Sequence, residues 1–212
     1  MTIAIIDYRA GNLTSVQRAV HRLGVEATIS ADPAVVTSAP AVIFPGVGAA
    51  ASCMANLRAA GLDRALHDVV AAGTPLLGIC IGMQLLFSHS EEDGGVDCLG
   101  LIPGTVRRFQ PRDRSIKVPH MGWNRVRFAV AEPLAADLEP DPALYFVHSY
   151  HCVPDDPAMV VAHCDHGESF CAGVRHGSLV AVQFHPEKSG PVGLRILSAF
   201  CRQAGVGPCA GR

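Results

Sequence analysis

The segment Gly78-Ile79-Cys80-Ile81-Gly82 places a thiol between two glycines, where an apolar strand-like run meets a helical one. That is the spacing of a nucleophile elbow with cysteine as the nucleophile. A side chain on so tight a turn sits in a strained conformation, and glycines two residues away on each side let neighbouring chains approach without Cβ clashes. The turn exposes the thiol at the carboxyl end of a sheet and aims the next helix N-terminus at it. That field favours a thiolate and, with backbone N–H groups, an oxyanion. A buried structural cysteine that ends a strand between glycines fits the same residues.

A thiol nucleophile needs a base, and the base needs an orienting group. Of ten histidines, only His185 stands at the end of an apolar strand pattern, in Val182-Gln183-Phe184-His185-Pro186-Glu187. Pro186 biases His185 to an extended conformation. Residues two apart in extended chain project to the same side, so Glu187 is expected to approach the imidazole and hold its tautomer. The expected triad is Cys80–His185–Glu187; a surface histidine before a turn-forming proline is the alternative. Pro45-Gly46-Val47-Gly48, directly after a strand pattern, has glycines that can turn backbone N–H groups inward as an oxyanion partner for the amide after Cys80. An ordinary Gly-rich turn fits it too. It is not a phosphate loop, because no Gly-Lys-Ser/Thr follows.

Two further clusters could be drawn as zinc sites: His163, Cys164, Asp165, His166 and Cys171, and His148, His151 and Cys152. Neither contains a Cys-x-x-Cys pair, and neighbours in a strand face opposite sides, so His163 and Cys164 would not share a metal. No metal and no cofactor is expected.

The elements that must position these residues alternate in the first half. Thr2–Tyr8 reads as a strand, Leu13, Val16, Val20 and Leu23 recur at helical spacing, and Gly24 closes that helix. Val25–Ser30 and Ala41–Phe44 read as strands, residues 51–72 as a helical stretch broken near Gly61, Thr74–Ile79 as a strand, and Gly82–Ser88 as the start of a helix. The second half reads as strands over Val106–Phe109, Val118–Phe128, Leu144–Cys152, Met159–Cys164, Phe170–Arg175 and Leu179–Phe184, several antiparallel, with Gly167, Glu168 and Gly177 at the last turns. A helix from Val192 to Gln203 closes the fold. The expectation is one α/β domain over residues 1–205 with a tail at 206–212. Its central mixed, mostly parallel sheet is flanked by helices, with an antiparallel strand-rich second half.

The 212 residues are 49% hydrophobic and 17% charged, a globular composition with a core large enough to need no disulfide or structural metal. A net charge of −2 argues against a general nucleic-acid or anionic-membrane surface. The longest apolar runs are strand-sized, so no membrane span is expected. The N-terminus has no basic region or cleavage site and reads as a core strand. The eight cysteines (Cys53, Cys80, Cys98, Cys152, Cys164, Cys171, Cys201 and Cys209) are scattered through apolar segments, which suits reduced thiols in a cytoplasmic protein.

The elbow, the His-Pro-Glu segment and the Pro-Gly-Val-Gly loop, in this order and spacing, resemble the class I glutamine amidotransferases. Four blocks narrow the resemblance: Ile6–Leu13, Leu77–Phe87, Val118-Pro119-His120-Met121-Gly122-Trp123-Asn124, and Tyr145-Phe146-Val147-His148-Ser149-Tyr150 look like the glutaminase subunits of imidazole glycerol phosphate synthases. Arg9 stands where those carry Gly, and Ile81 where Leu is commoner. The resemblance implies a flavodoxin-like fold and hydrolysis of L-glutamine to glutamate and ammonia through a thioester on Cys80. It implies backbone N–H groups near Val47 and Ile81 for the oxyanion, and Gly48, Gln84, Glu92, Ser149 and Tyr150 for glutamine. It also implies a partner: a (β/α)₈ cyclase subunit that uses the ammonia to make imidazole glycerol phosphate and an aminoimidazole carboxamide ribotide in histidine biosynthesis. Met121 and Trp123, preceded by Arg107, Arg108, Arg112, Arg114 and Lys117, are the candidate docking residues, since Trp and Arg are enriched in interface hot spots.

Other readings are the glutaminase of another class I amidotransferase, against which the Pro119–Trp123 block speaks, a stand-alone cysteine hydrolase, and an inactive paralogue, which intact Cys80, His185 and Glu187 oppose. The two glycines flanking Val47 make a peptide flip cheap, so the Pro45–Gly48 loop is expected to stay unproductive until the cyclase is occupied.

Overall fold

All four residues of strand β1 (Ile3–Ile6) are buried, and alternate ones enter different cores: Ile3 and Ile5 on one face of a sheet, Ala4 and Ile6 on the other. A strand buried on both faces needs helices on both. The computed structural model, which describes residues 1–113, 115–129 and 132–207, supplies them. Helices α1 (Leu13–His21) and α6 (Gly190–Gln203) cover the first face with Val16, Val20, Ile196, Leu197 and Phe200. On the second lie α2 (Pro33–Ser38), α3 (Ala50–Ala59), α4 (Leu62–Ala71) and the short α5 (Ile81–Leu85). Arg114 and Cys209 lie outside the described residues.

The sheet runs β2 (Ala27–Ser30), β1, β3 (Val42–Phe44), β4 (Leu76–Ile79), β13 (Leu179–Val182), β12 (Ser169–His176), β10 (Tyr150–Pro154), β7 (Ile102–Arg108), β5 (Phe87–Ser90) and β6 (Val96–Asp97). From β2 to β13 every neighbour is parallel; beyond β13 the pairings are antiparallel except β5 with β7. A side branch leads from β12 through β11 (Val160–Asp165) and β8 (His120–Phe128) to β9 (Ala143–His148). This is the mixed, helix-flanked α/β sheet expected, and β4 and β13, which end at Cys80 and near His185, are adjacent at its centre.

Several elements differ from expectation, among them the short β6 and the start of β7 at Ile102 rather than Val106. Leu144–Cys152 is two strands, because the chain changes partners at Ser149: β9 pairs with β8, whereas β10 pairs with β7 and β12. The helix after Cys80 ends at Leu85, and Phe87–Ser90 turns back into the sheet beside β7, with Phe87 buried. Helix α2 was not anticipated, although its Asp32-Pro33 start carries a readable signal: Asp32 Oδ1 accepts from the Ala34 amide at 2.9 Å, and proline takes the first helical position. Beyond α6, Val206 is buried and its amide donates to the Cys201 carbonyl at 2.9 Å.

Candidate active site

Cys80 sits at φ 56°, ψ −112°, outside both the helical and strand regions, at the turn from β4 into α5. Its amide donates to Val182 O on β13 at 2.8 Å, and its carbonyl accepts from Met83 and Gln84 at 3.0 and 3.2 Å. The flanking glycines are required by packing. A Cβ on Gly82 would collide with the Phe44 carbonyl, and one on Gly78 would come within 2.9 Å of Ala181 and Leu86 side chains. Because α5 has five residues, the favourable field at Cys80 comes from first-turn N–H groups rather than from a long helix.

His185 is anchored through its backbone: its amide donates to Tyr145 O at 2.8 Å, and Ser189 Oγ–H donates to its carbonyl at 2.7 Å. Nδ1–H donates to Glu187 Oε1 at 2.9 Å, which fixes the tautomer and leaves Nε2, buried and without a conventional hydrogen bond, for Cys80. The contact is as expected but its conformation is not. Pro186–Lys188 forms a 3₁₀ turn with proline at its first position, so Glu187 reaches His185 by a bend rather than by extended chain. Asn12 Nδ2 donates to the same Glu187 oxygen from the other end of the sequence. Burial disfavours a charged His185, yet hydrogen bonding and charge from Cys80 and Glu187 outweigh it and raise the imidazole to about 10.

A cavity of about 340 Å³, sized for a small metabolite, opens above Cys80. Val47, Gly48, Ile81, Gln84, Glu92, Ser149 and Tyr150 all line it, joined by Pro119, Val147 and His148. Tyr8 Oη–H donates to Pro45 O at 2.9 Å and packs where a Gly46 Cβ would be, so the loop is clamped at Pro45–Gly46, while Gly48 takes φ 138°. Of the acidic run Glu91-Glu92-Asp93, Glu92 alone lines the cavity. Burial pushes its carboxyl upward, opposed by the Ala50 amide that donates to Oε2 at 2.7 Å. Arg9 adopts φ 64° with its amide on Asp7 Oδ1 at 2.9 Å, the left-handed turn that glycine would take more cheaply.

Residues 4–204 match the family described as glutamine amidotransferase class-I. The chain belongs to this family. It is 50% identical over 198 residues to the imidazole glycerol phosphate synthase subunit HisH of Moorella thermoacetica, covering 93% of each chain. With the subunit HisH of Desulfovibrio desulfuricans it is 49% identical, over 95% of this chain and 96% of that one. Among solved structures, PurLQS from Thermotoga maritima shares the fold with TM-score 0.73 at 17% identity, covering 95% of this chain and 98% of that one. The glutaminase domain of Trypanosoma brucei CTPS shares it with TM-score 0.64 at 17% identity, over 95% and 94% of the two chains.

Sequence reasoning about this amidotransferase missed several groups at the site. Asn12 lies within the Ile6–Leu13 block, where no neighbour in sequence points to Glu187, and Gln183 is a fully buried polar residue at a strand end, a pattern that by itself signals a specific partner. His148, drawn as a possible metal ligand, serves otherwise. Asn124 Nδ2 donates to His120 Nε2 at 3.1 Å, His120 Nδ1–H to His148 Nε2 at 3.0 Å, and His148 Nδ1–H to Tyr150 O at 2.7 Å. Burial lowers His120 to about 4 and His148 to about 3, so this relay is uncharged at neutral pH. Among the described residues no three His, Cys, Asp or Glu side chains converge as a metal site. The seven described cysteines are free thiols, and no helix there is long and apolar enough to cross a membrane.

Proposed function

We propose that this chain hydrolyses L-glutamine to L-glutamate and ammonia, with Cys80, His185 and Glu187 as the catalytic residues, and delivers the ammonia to the cyclase subunit of an imidazole glycerol phosphate synthase. The sulfur of a Cys80 thiolate attacks the side-chain amide carbon, and the N–H groups near Val47 and Ile81 receive the oxyanion. As the C–N bond breaks, His185 Nε2–H protonates the leaving nitrogen and ammonia departs from a glutamyl thioester. Water then attacks the thioester, His185 takes its proton, and glutamate leaves with the thiolate–imidazolium pair restored. Glu187, steadied by Asn12, orients His185. Glu92 faces the substrate ammonium, and Gly48, Gln84, Ser149 and Tyr150 complete the pocket. Every step uses groups of this chain or water, so the scheme calls for no metal or cofactor.

The observation that carries the reading is where the triad sits relative to an exposed apolar face. Met121 and Trp123 on β8 are 64% and 59% exposed, unusual for such side chains. Their cross-strand partners on β9 are Val147 and Tyr145. Val147 O lies 3.9 Å from Cys80 Sγ, and Tyr145 O holds the His185 amide. A cyclase seated on Met121 and Trp123 would therefore lie one strand from the nucleophile and its base. Relatives named imidazole glycerol phosphate synthase subunit support that partner, and with it synthesis of imidazole glycerol phosphate and aminoimidazole carboxamide ribotide in histidine biosynthesis. Residues 1–205 form the catalytic unit, with Val206 anchoring the start of the tail, and free thiols suit the cytoplasm. Rapid acid quenching during turnover should trap a glutamyl adduct on the Cys80 peptide; turnover with no adduct on that peptide would refute the thioester route.

A further inference from the structure

Gln183 is fully buried directly after β13, two residues before His185, and the mechanism above gives it no task. Its amide nitrogen lies 3.7 Å from Cys80 Sγ. A series of one-way groups fixes which end of that amide faces the sulfur. The Tyr150 carbonyl can only accept, so the Gln84 group 3.0 Å from it is the NH₂. That same nitrogen lies 3.0 Å from the Gln183 amide, which must therefore present its oxygen there. The Gln183 nitrogen is left facing Sγ. A flipped Gln183 would set nitrogen against nitrogen at Gln84 and turn its oxygen onto the sulfur. Tyr150 O is itself held by His148 Nδ1–H at 2.7 Å, so the acceptor that sets the direction is fixed.

We propose that Gln183 is a further catalytic residue, whose amide N–H donates to the Cys80 thiolate and keeps the sulfur charged and aimed at the substrate carbon. The proposal rests on the reading of Cys80 as nucleophile and adds a neutral donor to the charged one. Besides His185, Sγ faces the Val147 carbonyl at 3.9 Å, which can accept from a thiol but repels a thiolate. The Gln183 amide and the Val147 carbonyl thus favour opposite protonation states. A fixed neutral donor is useful because His185 surrenders its proton to ammonia. When water later expels the thiolate from the thioester, the Gln183 N–H is already in place to receive it.

Iodoacetamide reacts with thiolates, so its rate at Cys80 as a function of pH reads how tightly the sulfur holds a proton. The other titratable groups around the sulfur are His185 with Glu187, Tyr8, Cys53 and Cys152, the last three pushed upward by burial, and Glu92 across the cavity. Gln183→Met keeps the bulk and removes the donor. The expected result is an alkylation midpoint raised by about one pH unit, roughly tenfold slower alkylation below it, and a similar fall in kcat with KM for glutamine little changed. An unshifted midpoint in a variant that melts like the unaltered protein overturns the proposal. If the variant does not fold, the side-chain amide protons of Gln183 in the unaltered chain should move in NMR spectra with the Cys80 alkylation midpoint; protons that stay put overturn it. Failure of the underlying reading is seen separately, because Cys80 alkylation that leaves glutamine hydrolysis intact removes the nucleophile assignment whatever the pH profile.

Discussion

Acid should weaken this fold at one identifiable place, the neutral relay His120–His148–Tyr150. Burial lowers His120 from 6.5 to about 4 and His148 from 6.5 to about 3. Between these values and 6.5 the unfolded chain binds protons that the folded chain refuses, so stability is full above about pH 6.5 and is lost as pH falls. At pH 5 both histidines are still neutral in the fold and charged in the unfolded chain. One and a half units at about 1.4 kcal/mol each is about 2 kcal/mol per histidine, or about 4 kcal/mol for the pair relative to pH 7. That is a large part of the stability of an ordinary domain. The assay is urea denaturation at pH 7 and pH 5 for the unaltered chain and a His120→Gln/His148→Gln double variant, in which glutamines can still hydrogen-bond but do not titrate. Other groups titrate in both proteins, including His185, whose raised value acts with the opposite sign, so the difference isolates the relay. The double variant should be less stable at pH 7 and lose about 4 kcal/mol less on acidification. Equal losses in the two proteins would refute the claim that these buried histidines are held neutral.

Other expectations follow from the same geometry. Gly82→Ala should cost about 3 kcal/mol or more in chemical denaturation, because its Cβ would collide with the Phe44 carbonyl; a near-neutral effect would mean that the elbow can open. Gly48→Val places a β-branched residue at φ 138° with its Cβ 3.3 Å from Cys53 Sγ, and should impair kcat more than glutamine KM in steady-state kinetics. Equal loss of both would count against a loop that flips during activation. Trp123→Ala should weaken cyclase binding by about 2 kcal/mol, roughly thirtyfold in Kd by calorimetry, while Cys80 alkylation in the isolated chain stays unchanged.

The elbow and the His185–Glu187 pair were legible because each is written locally. Gly-x-Cys-x-Gly after an apolar run specifies a strained elbow, and His-Pro-Glu after another specifies a fixed imidazole with a carboxylate nearby. Which strands become neighbours is decided by packing between distant segments, and the unread features depend on that. Asn12 reaches Glu187 across 175 positions, and His120 meets His148 only because β8 and β9 pair in one register. The bend at Ser149 is not specified within Leu144–Cys152, because it is set by the distant strands on either side of it, β8 before and β7 and β12 after. Gln183 was hidden differently: it lies within the Val182–Glu187 segment, but its orientation appears only when the Tyr150 carbonyl fixes Gln84 and Gln84 in turn donates to Gln183.

The most direct test is ammonia release from glutamine by the purified chain, alone and then with a matching cyclase carrying its ribotide ligand, with Cys80→Ala in parallel. Little release from the chain alone, strong stimulation by the occupied cyclase and none from Cys80→Ala is the predicted result. Full activity without the partner would describe a free-standing hydrolase, and no activity even with it would mean that the triad geometry is present without the chemistry.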